Sequence, residues 1–394
     1  MKKRVHFWDN YKGILIFLVV LGHFIYSYAK NLSGSLAHDI YFFIYSFHMP
    51  AFIFCSGYFS KSEHSRSKES LVKLFVYYVF FNTLMLFFDY FYVGSSINML
   101  IPYYSYWYIL SLIAWRALVG KVGNIKGIVL LSVFISLLLG YSKEFTNLLS
   151  LRRTVAFFPF FLAGYQLDVQ KVEQFLTKRK PWHMFLSGVL VLAVAVVCFK
   201  IVDHSELTSS ATLMGTYSKT STLEHRLLIF SVSIAAIIGM FLTVPNCRIP
   251  ILGKIGKNSL LIYLVHRFVA IVYYKDLFPR KTYSEIYILY ALIATVILCI
   301  VLSSDRLNQA VAKACEKVAG MLTSSEYKSH NPALLAIVCI FLGLLALKAS
   351  PEISEKYLSA WESKNPKEVI VEETKAATQP TQEDTELAAT EGKN

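Results

Sequence analysis

Charge is what this sequence has least of. Only 16% of its 394 residues are Asp, Glu, Lys or Arg, against about 25% in an ordinary soluble domain. A water-soluble fold of that composition would expose more apolar surface than water tolerates. Acidic residues are the scarcer sign, 26 against 39 basic, which leaves a net charge of +13. In a soluble protein that excess would suggest nucleic acid. Here no basic stripe or recognition motif goes with it, and no nucleic-acid partner is expected. Cysteine is sparse too. Cys55, Cys198, Cys247, Cys299, Cys315 and Cys339 form no CxxC and lie mostly inside apolar runs, so neither a disulfide framework nor a metal site is implied. P-loop, GxSxG, HExxH and dinucleotide patterns are all missing. No metal and no permanently bound cofactor are expected.

What the chain does have is apolar length. Hydrophobic residues make up 55% and aromatic residues 15%, and the mean hydropathy is +0.48. A helix crosses a bilayer with roughly 17–25 mainly apolar residues. Candidate spans are 13–29, 36–59, 71–93, 102–118, 127–141, 154–167, 184–202, 227–244, 259–274 and 285–302, with a further one at 332–349. The expected fold is therefore all-α, a polytopic transmembrane helix bundle in the lipid bilayer. Residues 1–303 would form the bundle and 304–331 a polar, amphipathic cytoplasmic connection. Residues 332–349 would form an extra transmembrane helix, and 350–394 a disordered extracytoplasmic tail too polar to bury a core.

Lys2, Lys3 and Arg4 before an apolar stretch resemble a signal peptide. The stretch is long, holds His23 and precedes no A-x-A site, so it reads as a retained first helix. Lys and Arg gather at one set of loop ends, including Lys61, Arg66, Lys121, Lys178, Arg179, Lys254 and Lys257. By the positive-inside rule those ends, and the N-terminus, are cytoplasmic.

Ionisable groups within spans are costly and mark candidate functional positions. Three histidines stand out: His23, His48 and His266. At ~1.5 Å rise per residue each is roughly 10–18 Å deep. One buried histidine needs no more explanation than an interhelical hydrogen bond, whereas three at matching depth point to a site. Lys12 and His23 fall on one face of the first helix, ~16 Å apart along its axis. Asp9, one turn before Lys12, can pair with it. A cation at the mouth and an imidazole deep inside suit a donor with an anionic head and a long thin arm. Lys12 alone is equally an interfacial anchor. A neutral imidazole is a competent base near pH 7. Pro50 beside His48 frees a carbonyl at midspan, as helix breaks lining cavities do and packing kinks also do. Trp107, between Tyr106 and Tyr108, sits on the outer side with Arg152 and Arg153. These residues suit a polyhydroxyl or anionic acceptor, and an aromatic belt with basic anchors would use the same residue types.

Together these residues resemble the membrane-bound acyltransferase-3 family, most nearly its branch of fucose 4-O-acetylase-like and capsular polysaccharide O-acetyltransferases. The resemblance rests on Asp9-x-x-Lys12-Gly13-Ile14 leading to Val19-Val20-Leu21-Gly22-His23, and on Phe47-His48-Met49-Pro50-Ala51-Phe52 followed by Ser56-Gly57-Tyr58. Trp107-Tyr108, Phe158 to Tyr165 and Asn258 to His266 look like later family blocks. The likeness spans about Trp8 to Leu302. It implies a ten-helix bundle and transfer of an acyl group, usually acetyl, from acyl-CoA (acetyl-CoA) as co-substrate to a carbohydrate hydroxyl. The acceptor would be a cell-surface polysaccharide or its lipid-linked precursor, in a bacterial plasma membrane. The family's arginine at the mouth is replaced here by Lys12, which keeps the charge but loses the bidentate fork. Some relatives carry a second, esterase-like domain; none is expected after this eleventh span. Catalysis is expected from His23, Lys12 and Asp9, with His48, Trp107, Arg152, Arg153 and His266 binding substrate. Without the resemblance, midplane histidines also fit the proton relay of a transporter or exporter of a glycan or small molecule, although no repeat of the span pattern suggests inverted halves. A scaffold in a polysaccharide assembly complex is a third reading, in which replacing the histidines would do little.

Overall fold

The computed structural model describes residues 5–31, 35–94, 102–142, 148–196, 217, 222–277 and 285–323. The chain divides into two units, Met1–Phe88 with Leu100–Asn331, and Asp89–Met99 with Pro332–Asn394. In the second unit the described element is a π-helical turn, Asp89–Val93.

The first unit is built of helices joined by turns, with no strand among its described residues. In chain order its helices are α1 Phe7–Asn31, α2 Leu36–Phe59, α3 Glu63–Arg66, α4 Lys68–Phe88, α5 Trp107–Val122, α6 Ile128–Leu138 and α7 Leu151–Gln166. They continue with α8 Val169–Lys178, α9 Pro181–Val196, α10 Leu223–Thr243, α11 Pro250–Lys257, α12 Ser259–Val272, α13 Ile286–Leu302 and α14 Asp305–Thr323. Ten of the expected spans fall on helices, and the run at 332–349 and the tail beyond it lie outside the described residues.

Length separates these helices. Phe7–Ala29, Leu36–Phe59, Lys68–Val93 and Leu223–Thr243 are each long and apolar enough to cross a membrane. Counting Pro250–Lys257 with Ser259–Leu277, and Ile286–Leu302 with Asp305–Met321, as bent spans raises the number among the described residues from four to six. The first of those pairs bends by 82° and the second by 61°. α5 and α7 have 16 residues each, about 24 Å at the helical rise, short of the ~30 Å hydrocarbon core. The ten apolar runs on described helices thus outnumber the four to six of those helices able to span unaided.

α1 and α2 form the centre. Their packing rests on backbone approach rather than side-chain bulk. A Cβ at Gly57 of α2 would lie 2.0 Å from the Phe161 carbonyl oxygen of α7, and one at Gly164 of α7 would lie 1.9 Å from the Phe54 carbonyl oxygen of α2. Likewise a Cβ at Gly256 of α11 would stand 1.8 Å from the Asp9 carbonyl oxygen of α1. Small residues at such crossings let helices associate where lipid supplies no hydrophobic drive. Asn10 then ties α1 to the turn after α10, its Nδ2 donating to the Pro245 and Cys247 carbonyls at 2.9 Å each.

Pro50 has no N–H to give the Ser46 carbonyl one turn back. Ser233 of α10 supplies the missing donor, its hydroxyl bonding that oxygen at 2.7 Å. α2 therefore continues through its proline, and the residues around His48 are fixed by a neighbouring helix.

Candidate active site

The three histidines come from three helices and meet in one cluster. The rings of His23 on α1 and His266 on α12 have centroids 5.0 Å apart. Tyr45 connects the third. Its hydroxyl lies 3.3 Å from His23 Nδ1, and its ring packs 4.7 Å from that of His48 on α2. His48 and His266 are buried, whereas His23 is only half-buried.

Hydrogen bonds assign the ring protons. His48 Nδ1 lies 2.7 Å from the Ile44 carbonyl, and His266 Nδ1 lies 2.7 Å from that of Tyr263. A carbonyl only accepts, so both rings carry the proton on Nδ1 and keep a lone pair on Nε2. That Nε2 of His266 is buried without a hydrogen-bond partner. His23 is the reverse. Its Nδ1 is 3.1 Å from Nη1 of Arg267, and a guanidinium only donates. His23 Nδ1 therefore accepts, and the ring proton sits on Nε2.

The Tyr103–Trp107 segment forms a wall of this cluster. Tyr106 donates to the Leu264 carbonyl at 2.6 Å, and Tyr263 donates to the Ser105 carbonyl. Both bonds pin the segment to α12. Tyr104 is left-handed, with φ +44°, a conformation unfavourable for a bulky residue. Its ring lies under the Arg267 guanidinium at 4.3 Å, so the strained backbone presents an aromatic face to a buried cation.

The two consecutive arginines of α7 part company. Arg153 lies over the Trp107 ring at 4.9 Å, near enough for its charge to act on His23. Trp107 also stacks on Phe157, 5.3 Å between centroids. Arg152 points elsewhere, bonding the carbonyls of Leu139 and Ser142 at 3.4 and 2.9 Å. With buried Arg226, which donates to the Ser136 carbonyl at 3.2 Å, it satisfies the end of α6.

Lys12 and Asp9 form an ion pair at 3.4 Å, and Lys12 also lies over the Phe59 ring at 5.0 Å. Further cations gather at this end of α2. Arg116 donates to Ser60 at 3.1 Å, and Lys61 and Arg66 lie over the Tyr165 ring at 5.9 Å each. From this basic rim a file of hydroxyls leads inward. Ser56, one turn before Ser60, bonds Tyr108 at 2.6 Å. The Tyr108 ring packs 5.2 Å from Tyr263, and Tyr263 packs 5.7 Å from His266.

Sequence reading named the histidines, Lys12, Asp9, Trp107 and the arginine pair. It missed Arg267, Tyr45, Tyr104 and Arg116. Arg267 carried a signal: a second ionisable residue directly after His266, inside an apolar run. Chemically, the cluster offers an imidazole within reach of a bound group, a guanidinium beside it, and aromatic faces around both.

A family model described as an acyltransferase domain, that of acyltransferase-3, matches residues 5–304. The chain belongs to this family and is a membrane acyltransferase. No curated protein and no solved structure matches it.

Proposed function

We propose that the protein transfers an acetyl group from acetyl-CoA to a hydroxyl of a cell-surface carbohydrate or its lipid-linked precursor, within the fucose 4-O-acetylase-like and capsular O-acetyltransferase branch of the family. The observation that carries this reading is the placement of His23. It is the histidine of the cluster with partial exposure, and a lone acceptor nitrogen on it faces donors from α2 and α12. A neutral imidazole so placed takes a proton from an attacking hydroxyl.

The donor's phosphates bind at the basic rim. Lys12 is one member of it, and its pairing with Asp9 makes Lys61, Arg66 and Arg116 the larger part of the field. The acyl-bearing arm follows the Ser60, Ser56 and Tyr108 file toward His23. The sugar approaches from the opposite end, where Tyr45, Trp107 and Arg153 supply stacking faces and a cation. His48 and His266 position the substrates through their Nε2 lone pairs. The basic rim faces the cytoplasm of a bacterial plasma membrane, on the positive-inside rule.

The test uses membranes containing the protein, acetyl-CoA labelled in the acetyl group, and surface polysaccharide stripped of esters by mild base. Label is expected to enter the polysaccharide as base-labile ester, with release of one thiol per ester. Thiol release and ester formation both absent, with the protein present in the membrane and the acceptor confirmed competent, would overturn the reading.

A further inference from the structure

Among the described residues, Arg267 is a cation with no acidic partner. It is 6% exposed, and its described partners are His23 at Nη1 and the rings of Tyr104 and Tyr274. Its Nε is buried without a hydrogen-bond partner. No carboxylate is among the groups whose charge reaches His23 or His266 among the described residues. A buried guanidinium normally has an acidic partner, because desolvating the charge is otherwise costly. Stacking on Tyr104 recovers part of that cost. The rest is recovered when negative charge arrives.

The position of Arg267 says where that charge should appear. Its Nη1 occupies the lone pair of His23 through which the ring acts as base. A hydroxyl that hands its proton to that nitrogen must replace the guanidinium there, and the carbon it attacks then lies next to the displaced fork. We propose that Arg267 is a further catalytic residue, which leaves His23 Nδ1 as the acceptor binds and holds the oxyanion formed on the acyl carbonyl.

This rests on the acyl-transfer reading above. The acceptor hydroxyl gives its proton to His23 Nδ1 as its oxygen bonds the thioester carbon. The carbonyl π pair moves onto oxygen and is held by the Arg267 N–H groups. As the carbonyl re-forms, the C–S bond breaks and the thiolate takes the proton from His23. The products are an ester and coenzyme A thiol, and no oxidant or reductant is needed. The guanidinium moves when the acceptor binds and is in place before the carbonyl is attacked, and the low dielectric of a dry site strengthens its hold on the developing charge.

The experiment compares wild type, Arg267→Met, Arg267→Lys and His23→Ala in detergent, with labelled acetyl-CoA and the ester-stripped polysaccharide. Arg267→Met is expected to lower kcat by about 100- to 1,000-fold, the usual loss for one oxyanion donor. The KM values for both substrates should stay near wild type, since the interaction belongs to the transition state. Arg267→Lys keeps the charge over Tyr104 but not the fork, and is expected to lose on the order of tenfold in kcat. If the methionine variant fails to fold, the lysine variant decides, and wild-type kcat in it overturns the proposal. Raised KM for polysaccharide with unchanged kcat would also overturn it, making Arg267 an acceptor anchor. An inactive His23→Ala beside a fully active Arg267→Met refutes Arg267 alone. Full activity in His23→Ala refutes the acyl-transfer reading beneath it.

Discussion

A single methyl group at Gly164 should push α7 away from α2. The Cβ of an alanine there would lie 1.9 Å from the Phe54 carbonyl oxygen, 2.8 Å from its carbon and 3.1 Å from the Tyr58 nitrogen. All three are backbone atoms, so no side chain can rotate aside and the helices themselves must separate. Overpacking of this kind costs about 1–3 kcal/mol. At about 2.1 cal/mol/K of unfolding entropy per residue, that is a fall of about 1–4 °C in melting temperature for a chain of this size. The same shift would loosen the α2 segment that carries His48, so activity should fall with stability. Gly188 of α9 is the control, since a Cβ there meets nothing within 4 Å. Gly188→Ala should be neutral or gain up to about 1 kcal/mol from helix propensity. Thermal unfolding of both variants in the same detergent measures the difference. A Gly164→Ala protein that melts with wild type would refute the close crossing of α2 and α7.

Three further expectations come from particular contacts. Asn10→Ala removes both part-buried bonds to the turn after α10, so a loss of about 1–2 kcal/mol is expected in the same melting assay. Arg152→Met removes the donors at the end of α6. Exchange of backbone amides through Leu139–Ser142 should quicken, while KM for acetyl-CoA stays near wild type. The third concerns pH. Asp305 accepts from Asn258 at 2.9 Å and pairs with Lys257 at 3.3 Å, and these hold its carboxyl below the usual carboxylate range. Glu316 is lowered similarly by Lys73 of α4. A group with a depressed folded value stabilises above its unfolded value, and that contribution is lost as pH falls through the folded one. Protection of the α14 amides, relative to their intrinsic exchange rates, should therefore fall once pH drops below the ordinary carboxylate range, and Asp305→Asn should flatten that dependence.

The sequence announced the helices and the histidine layer for different reasons. Long apolar runs can be nothing but helices in lipid, because every backbone group must pair internally. His23, His48 and His266 were legible because an ionisable group is out of place in such a run. The number of spans was less so. α5 and α7 are 16 residues each, and hydropathy does not say whether a run crosses lipid alone or lies packed among neighbours. The breaks near Asn258 and Ser303 coincide with the expected span ends at 259 and 302, whereas the bends there, 82° and 61°, left no mark in the hydropathy. Arg152 and Arg153 looked equivalent in sequence, yet adjacent helical residues are about 100° apart. One faces Trp107 and the other the end of α6. Tyr104 gave no warning of its left-handed backbone, since no glycine marks it. The Arg267 contact joins residues 244 apart, and only the packing of α1 on α12 brings them together.

The most direct measurement is the ester content of surface polysaccharide from cells producing wild type or His23→Ala at matched membrane levels, in a host that makes a suitable acceptor. Base-labile O-acetyl is scored by proton NMR. Acyl transfer through His23 predicts acetyl signals with wild type and none with the variant. Equal acetylation in the two, with both proteins folded in the membrane, would contradict it.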